Sequence, residues 1–382
     1  MKLRKKIFKR KLKVYFICQY IQGYSKICDV INIMKNDPDI DVNILAIPDD
    51  INKFPKNEDL AFWEEKFGDN VINAVSNKEW FDLEKEKPDY VFIQRPYNNY
   101  LPHQYSTDVL STYTKLCYIP YGYLLVDLHS VVLPQSFINQ LYFFFGENEY
   151  ESKYVLNKMP KDGNHYSINY GYPSLDSEIM NISTETSAFN KLKTKDLKVI
   201  WTPRWTTNKD LFETTFFNYK DNIVKYFKKN RNQKLVFRPH PLMFKNFIDE
   251  KIMPKEEVKE YLLNYDENNM IYDKDSNYFE TFQDSDVLIT DFSSIIIDYF
   301  ILNKPIILLD KNEKRYTPIM KEINKVCYHA NNWDDIKKIL KELGKEDILK
   351  SKREKTIKKL LCNYDGTTSK KIVECIKNDF YK

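Results

Sequence analysis

Long apolar runs are missing from this chain of 382 residues. No stretch approaches the roughly 20 apolar residues that a membrane-spanning helix needs. Val14–Cys18 is too short for the apolar core of a secretory signal. These absences point to a cytoplasmic protein. Cysteine is sparse: Cys18, Cys28, Cys117, Cys327, Cys362 and Cys375 form no CxxC pair, and several sit in apolar runs. They read as buried reduced thiols, which leaves out a disulfide framework and a thiolate metal site. The five histidines lack metal-site spacing. A large excess of charge is missing too. A net charge of +4 excludes a general polyanion binder, so no nucleic-acid partner is expected. No internal repeat or low-complexity tract is evident.

What is present supports real cores, with 42% hydrophobic and 15% aromatic residues, and the length suits about two domains. The basic residues are uneven. The opening MKLRKKIFKRKLK holds eight Lys or Arg in thirteen positions, interleaved with Leu3, Ile7, Phe8 and Leu12. Such a segment suits attachment to an anionic membrane surface, and it equally suits a solvated, frayed terminus.

Residues 286–310 are the most informative stretch. Val287–Thr290 is an apolar strand that stops at Asp291. Ser293 and Ser294 follow, then a helical segment Ile295–Leu302, then a second apolar run Pro305–Leu309. Strand, tight turn, helix, strand is a βαβ unit. Its turn sets two hydroxyls and free backbone N–H groups at a helix start, which attracts phosphate. The same serines are equally suited to cap the helix. Leu235–Phe237 is another short strand, and it runs into Arg238-Pro239-His240-Pro241. Ligands of open α/β sheets sit outside the carboxyl ends of strands. The two prolines stiffen the loop, and the imidazole can donate to a phosphate oxygen, more strongly when protonated.

The pattern predicts two doubly wound α/β domains facing a cleft, the GT-B architecture. In the first half, strands are predicted at Val14–Cys18, Val42–Ile47, Tyr90–Ile93, Leu116–Ile119 and Tyr142–Phe145. A helix carries Ile27, Val30, Ile31 and Met34, and region 50–88 is assigned to helices. In the second half, strands are predicted at 199–201, 235–237, 270–272, 287–290, 305–309 and 326–328. A helix there carries Phe212, Phe216, Tyr219, Ile223 and Phe227, and charged helices run from about 334. A polar stretch marks the junction. This gives an N-terminal acceptor domain at 1–180, with its basic segment 1–13, a linker at 181–196, and a nucleotide-binding domain at 197–382.

Five short segments in series resemble the CDP-glycerol glycerophosphotransferases that build teichoic acids and capsules. They are Gly171-Tyr172-Pro173 with Asp176, Trp201-Thr202-Pro203-Arg204-Trp205, Arg238-Pro239-His240-Pro241, Thr290-Asp291-Phe292-Ser293-Ser294 with Asp298, and Asp365-Gly366 before a helix. The resemblance spans roughly residues 170–380. It implies transfer of a glycerol or ribitol phosphate from a CDP-linked donor to a hydroxyl of a lipid-linked or membrane-associated glycan, on the inner face of the bacterial membrane, with release of CMP. No cofactor is held tightly, although Mg²⁺ can accompany a diphosphate. Arg238 and His240 would hold the diphosphate, with Arg204, Thr290, Asp291, Ser293 and Ser294 around it. Asp298 would accept from the ribose hydroxyls. The family's WHGTP-like turn, whose His is the expected base, is replaced here by Ile119-Pro120-Tyr121-Gly122-Tyr123. Tyr121 stands in the His position, and a phenol is a poor base at neutral pH unless shifted. Asp127, His129 and the more distant His103 are the other candidates. Two further readings stay open, a GT-B glycosyltransferase using a CMP- or other nucleotide sugar and a non-catalytic nucleotide-binding protein.

Overall fold

The computed structural model describes residues 10–176, 184–192, 197–209, 213–265, 269–274, 278–309, 313–361 and 365–382. The chain divides into two compact units. One comprises Met1–Tyr123, Leu128–Met180 and Leu361–Lys382, and the other Leu124–Asp127 and Asn181–Leu360. Each is a Rossmann-like α/β unit.

The strands of the first unit are β1 (Leu12–Cys18), β2 (Ile40–Ala46), β3 (Val71–Asn73), β4 (Val75–Ser76), β5 (Glu79–Trp80), β6 (Tyr90–Ile93), β7 (Lys115–Tyr118), β8 (Phe143–Gly146) and β9 (Tyr166–Asn169). Seven of them form one sheet in the order β3-β2-β1-β6-β7-β8-β9, while β4 and β5 form a small antiparallel ribbon. All pairs in the large sheet are parallel. Helices cover such a sheet on both faces, so its strands are apolar throughout. β6 and β8 are buried at every position. The helix Cys28–Lys35 buries Val30, Ile31 and Met34, along the predicted stripe. Region 50–88 differs from the expectation. It has a helix at Leu60–Phe67 but also β3, β4 and β5, whose two or three residues are too short to show a period.

The second unit has β10 (Lys198–Thr202), β11 (Lys234–Phe237), β12 (Met270–Tyr272), β13 (Val287–Thr290), β14 (Ile306–Leu308) and β15 (Tyr328–His329). They form a parallel sheet in the order β12-β11-β10-β13-β14-β15. The helix Phe216–Lys229 buries Phe216, Tyr219, Ile223 and Phe227. Phe212, expected on that helix, lies outside the described residues. Both sheets wind outward in opposite senses from their first strand. This puts a topological switch between β1 and β6 in one unit and between β10 and β13 in the other. Crevices for ligands open at such points.

Two segments change sides relative to the sequence reading. Residues 124–127 belong to the second unit. Val126 bridges to Tyr316, the Thr317 N–H donates to Leu125 O at 3.0 Å, and the Asp127 N–H donates to Arg315 O at 2.8 Å. The last residues, assigned by the sequence to the second domain, belong to the first unit. The helix Thr368–Phe380 adds Ile372, Val373 and Ile376 to that unit's core. Asp176 receives its N-terminus, accepting from the Thr368 and Ser369 N–H groups at 3.2 and 2.6 Å. Asp379 holds its far end, accepting from Tyr90 Oη at 2.5 Å, Lys115 Nζ at 2.6 Å and Tyr142 Oη at 3.0 Å. The turn before the helix depends on Gly366, whose φ of 72° disfavours a side chain. These contacts account for Asp176 and Asp365-Gly366 among the motif residues, as fastenings of the last helix.

The polar stretch expected as linker is partly packed. The Thr186 N–H donates to Glu280 at 2.7 Å, Ser187 Oγ to Asp284 at 2.8 Å and the Ala188 N–H to Thr281 Oγ1 at 3.0 Å. Residues 181–183 and 193–196 lie outside the described residues. So do residues 1–9 of the basic opening. Its last positions begin the first strand, with Leu12 fully buried, Arg10 paired to Asp89 at 2.5 Å and Lys13 to Glu86 at 2.5 Å. Leu12 is therefore a core residue and no part of a lipid-facing surface. Cys18, Cys28, Cys117 and Cys327 are buried and unbridged; Cys362 lies outside the described residues.

Replacing Asp176 with Ala strips the acceptor from two helix N–H groups. A loss of about 1–2 kcal/mol is expected. An unchanged melting temperature in Asp176→Ala would refute the fastening role.

Candidate active site

In the second unit, β10 lies between β11 and β13, and Trp201 is level with Phe237 and Thr202 with Thr290. Three loops therefore leave one edge of the sheet side by side: Pro203–Trp205, Arg238–Pro241 and Asp291–Ser294. With neighbouring strands about 4.8 Å apart, the outer two loops start roughly 10 Å from each other. Backbone contacts lash the set. The Arg238 N–H donates to Trp201 O at 2.9 Å and the His240 N–H to Pro203 O at 3.2 Å. The Arg204 N–H donates to Asp291 Oδ2 at 2.9 Å.

His240 lies exposed at the rim, with its ring 6.0 Å from that of Trp205. Nδ1 accepts from the Leu242 N–H at 3.2 Å. This contact assigns the proton of the neutral ring to Nε2, the nitrogen left for a ligand. The protein around the ring, and secondarily the Arg204 guanidinium, push its pKa down to about 4. His240 is therefore a neutral donor at physiological pH, where the sequence had also allowed an imidazolium. Arg204 donates from Nη1 to Phe292 O at 2.9 Å, and its guanidinium lies 5.4 Å from the Phe292 ring centroid. Arg238 is braced from behind by Asp273 at 2.7 Å and lies 5.2 Å from the Tyr278 ring centroid. Asp273 and Tyr278 belong to none of the motifs in the sequence. The signal for Asp273 was an acid directly after the apolar strand β12.

The Asp291–Ser294 loop divides the expected donor residues in two. Asp291 is 1% exposed. It accepts from the Arg204 N–H, from the Thr215 N–H and Thr214 Oγ1 at 3.1 Å each, and from Thr215 Oγ1. Thr290 is fully buried, donating to Thr202 O at 3.1 Å and Asp291 O at 2.8 Å. Both were expected to touch the donor. Both instead shape the turn from within, because a carboxylate beside a strand end gathers the N–H groups of the neighbouring loops. Ser293 is half-buried and Ser294 exposed. No side chain caps the helix that follows, Ile296–Phe300, which is shorter than predicted. Among the described residues neither serine hydroxyl has a hydrogen-bond partner, and neither do the N–H groups of Ser293, Ser294 and Ile295. Capping is thus not what the serines do. Asp298 departs from its expected role at the ribose. It is 3% exposed, and Oδ2 accepts from Tyr278 Oη at 2.5 Å. It steadies Tyr278, which packs under Arg238.

The base candidates fare differently. Tyr121 donates to or accepts from Tyr97 Oη at 2.9 Å. Burial, followed by that hydrogen bond, pushes its phenol well above the usual range. It stays protonated and cannot serve as a base. His129 is 1% exposed, with its ring 4.5 Å from that of Tyr154 and 5.5 Å from that of Tyr150. It is a core histidine of the first unit, enclosed away from any acceptor hydroxyl. Asp127 is exposed and belongs to the second unit, while His129 belongs to the first. His103 is exposed in a short helical turn of the first unit. Among the described residues, no group of three His, Cys, Asp or Glu is arranged to hold a metal ion.

Comparison with known families matches residues 139–378 to the model described as CDP-Glycerol:Poly(glycerophosphate) glycerophosphotransferase. No curated protein matches the chain. Among solved structures, UDP-GlcNAc 2-epimerase from Neisseria meningitidis is similar at 14% identity and a TM-score of 0.63, covering 96% of this chain and 100% of that one. The epimerase from Methanocaldococcus jannaschii gives 17% and 0.62, covering 96% and 99%. The wall teichoic acid polymerase TagF gives 16% and 0.60, covering 97% and 89%. At such identities the structural likeness speaks for the fold, two Rossmann-like domains of the GT-B kind.

Ser294→Ala should leave the melting temperature unchanged and weaken donor binding. Asp291→Ala should destabilise the chain by roughly 2–4 kcal/mol, since several buried donors lose their acceptor. Equal melting curves for the two variants would contradict the division between shaping and binding residues.

Proposed function

This chain belongs to the CDP-glycerol:poly(glycerophosphate) glycerophosphotransferase family, and from that premise we propose that it moves a polyol phosphate from a CDP-linked donor to a hydroxyl of a cell-surface glycan, as in teichoic acid or capsule synthesis. The acceptor oxygen forms a bond to the polyol-bearing phosphorus, and the anhydride P–O bond breaks. CMP leaves with the electron pair, and the acceptor proton passes to solvent or a nearby group. Such transfers run through loose transition states, so the protein's work is positioning and charge neutralisation. A weakly activated hydroxyl suits this chemistry, in keeping with a protonated Tyr121.

One observation carries the reading. Donors at Ser293, Ser294 and His240 Nε2, without partners among the described residues, stand on loops at one edge of the sheet beside the switch between β10 and β13, and Arg204 and Arg238 lie in the same set of loops. The N–H groups and hydroxyls suit the non-bridging oxygens of the diphosphate. His240 Nε2–H suits the oxygen that gains charge as CMP departs. Arg238, held in place by its ion pair with Asp273, adds directed N–H donors. Any Mg²⁺ would enter with the diphosphate as part of the substrate.

No helix among the described residues is long and apolar enough to cross a membrane. The basic opening supplies a peripheral attachment to anionic lipid, on the cytoplasmic face where CDP-linked donors are made. Removing residues 1–9, which stops short of the Arg10–Asp89 pair, should shift the chain from the membrane pellet to the supernatant and spare transfer to a soluble acceptor. Continued pelleting would rule this attachment out.

A screen of CDP- and UDP-linked donors, read by the mononucleotide released, tests the activity. CMP release with phosphate transferred alongside the polyol is expected; transfer of a bare sugar would support a glycosyltransferase instead. His240→Ala should lower turnover about a hundredfold or more. The free imidazole has its pKa near 4; a bound diphosphate raises it, so the complex takes up protons on the acid side. Affinity for CDP-glycerol, whose diphosphate does not titrate in this range, should therefore be flat from pH 7 to 8 and tighten as pH falls toward 5. Turnover of His240→Ala at the wild-type level, in a folded chain, would remove His240 from the mechanism.

A further inference from the structure

The family match covers residues 139–378, and residues 10–121 lie before it. The first unit's switch point lies between β1 and β6. The loop after β6, Gln94-Arg95-Pro96-Tyr97, parallels the Arg-Pro loop of the second unit and was passed over in the sequence. Gln94 is 4% exposed and clamps the start of the β1 loop. Its Oε1 accepts from the Gln19 and Tyr20 N–H groups at 2.9 and 2.7 Å, and its Nε2 donates to Tyr20 O at 2.7 Å. A Cβ at Gly23 would stand 3.0 Å from that Nε2, a close approach.

The clamp assembles a cup of tyrosines. Arg95 lies 5.0 Å from the Tyr20 ring centroid and 4.9 Å from that of Tyr100. Tyr121, from the β7 loop, meets Tyr20 edge-on at 6.1 Å and shares its hydroxyl contact with Tyr97. Tyr97 in turn meets Tyr100 at 6.0 Å. Tyr20, Tyr97 and Tyr121 are half-buried, and Tyr100 is 45% exposed, so rings and hydroxyls remain within reach of a ligand. The cation of the cup is already matched, since Arg95 pairs with Asp49 at 2.6 Å.

We propose that this cup binds the acceptor, and that the acceptor end it takes is an uncharged sugar ring. Tyrosine faces pack against the C–H faces of a sugar, while phenol hydroxyls and an arginine exchange hydrogen bonds with its hydroxyls. A chain of polyol phosphates carries a charge at every unit and calls for unpaired cations. The compensated Arg95 does not offer one. Tyr121, protonated throughout the physiological range, is a binding group here. The role as acceptor site rests on the phosphotransferase reading; the affinity for sugars does not.

Saturation-transfer NMR on the full chain tests the cup. The probes are methyl β-glucoside, methyl β-galactoside, methyl N-acetyl-β-glucosaminide and, separately, an oligo(glycerol phosphate). At least one glycoside should bind. Tyr100→Ala should weaken it about tenfold and Tyr121→Phe, which keeps the ring, several-fold. Melting temperature and CDP-glycerol binding should be unchanged in both variants. Absence of glycoside binding, binding indifferent to both variants, or preference for the oligo(glycerol phosphate) would overturn the proposal. If tyrosine-dependent glycoside binding persists while no CDP-linked donor is turned over, the cup stands and the phosphotransferase reading falls. CMP release with glycosides ignored gives the reverse.

Discussion

The buried carboxylate of Asp291 holds the donor edge together. Three loops leave adjacent strand ends with unpaired backbone donors, and a carboxylate at the end of the central βαβ strand collects them. It fixes Arg204 on one side and Thr214 and Thr215 on another. Burial pushes its carboxyl up, while the hydrogen bonds it accepts act in the opposite direction. With the turn held from inside, the Ser293 and Ser294 hydroxyls have no partner among the described residues. A turn fixed from within can keep its outward donors idle, and idle donors are what a diphosphate needs.

The two units use the same device for different ends. In each, the strand order reverses beside the first strand; an Arg-Pro pair follows β6 at that point in the first unit, and follows β11, one strand removed from it, in the second. In the second unit Arg238 pairs with Asp273 and packs on the Tyr278 ring. In the first, Arg95 is neutralised by Asp49 and ringed by phenols. On the proposed reading, the second unit's edge takes a charged phosphate and the first unit's an uncharged, hydroxylated surface. The replacement of the family's histidine by Tyr121 belongs with this second pattern.

The sequence made some residues legible and hid others. His240 was readable because prolines on both sides mark a rigid strand-end loop. Ser293 and Ser294 were readable because a strand stops abruptly before them. Asp291 and Thr290 looked the same on paper as the serines beside them; only burial separates a residue that shapes a turn from one that meets a ligand. Asp298 was placed on the correct helix, but its partner Tyr278 comes from twenty residues earlier, a contact no local spacing reveals. Asp127 and His129 are two residues apart and fall into different units, because the chain sends residues 124–127 to pair beside Tyr316.

The sequence alone determined two parallel α/β units, their principal strands and the strand-end loops that carry the candidate donor residues. Those features follow from local apolar periodicity and from the turn chemistry at strand ends, which act over a few residues. The tertiary structure alone decided that the last helix closes the first unit. It also decided that Asp291 faces inward while Ser294 faces outward, and that Tyr20, Arg95 and Tyr121 meet at one switch point. Those outcomes depend on contacts between residues tens to hundreds of positions apart, which only the packed sheet brings within hydrogen-bonding reach.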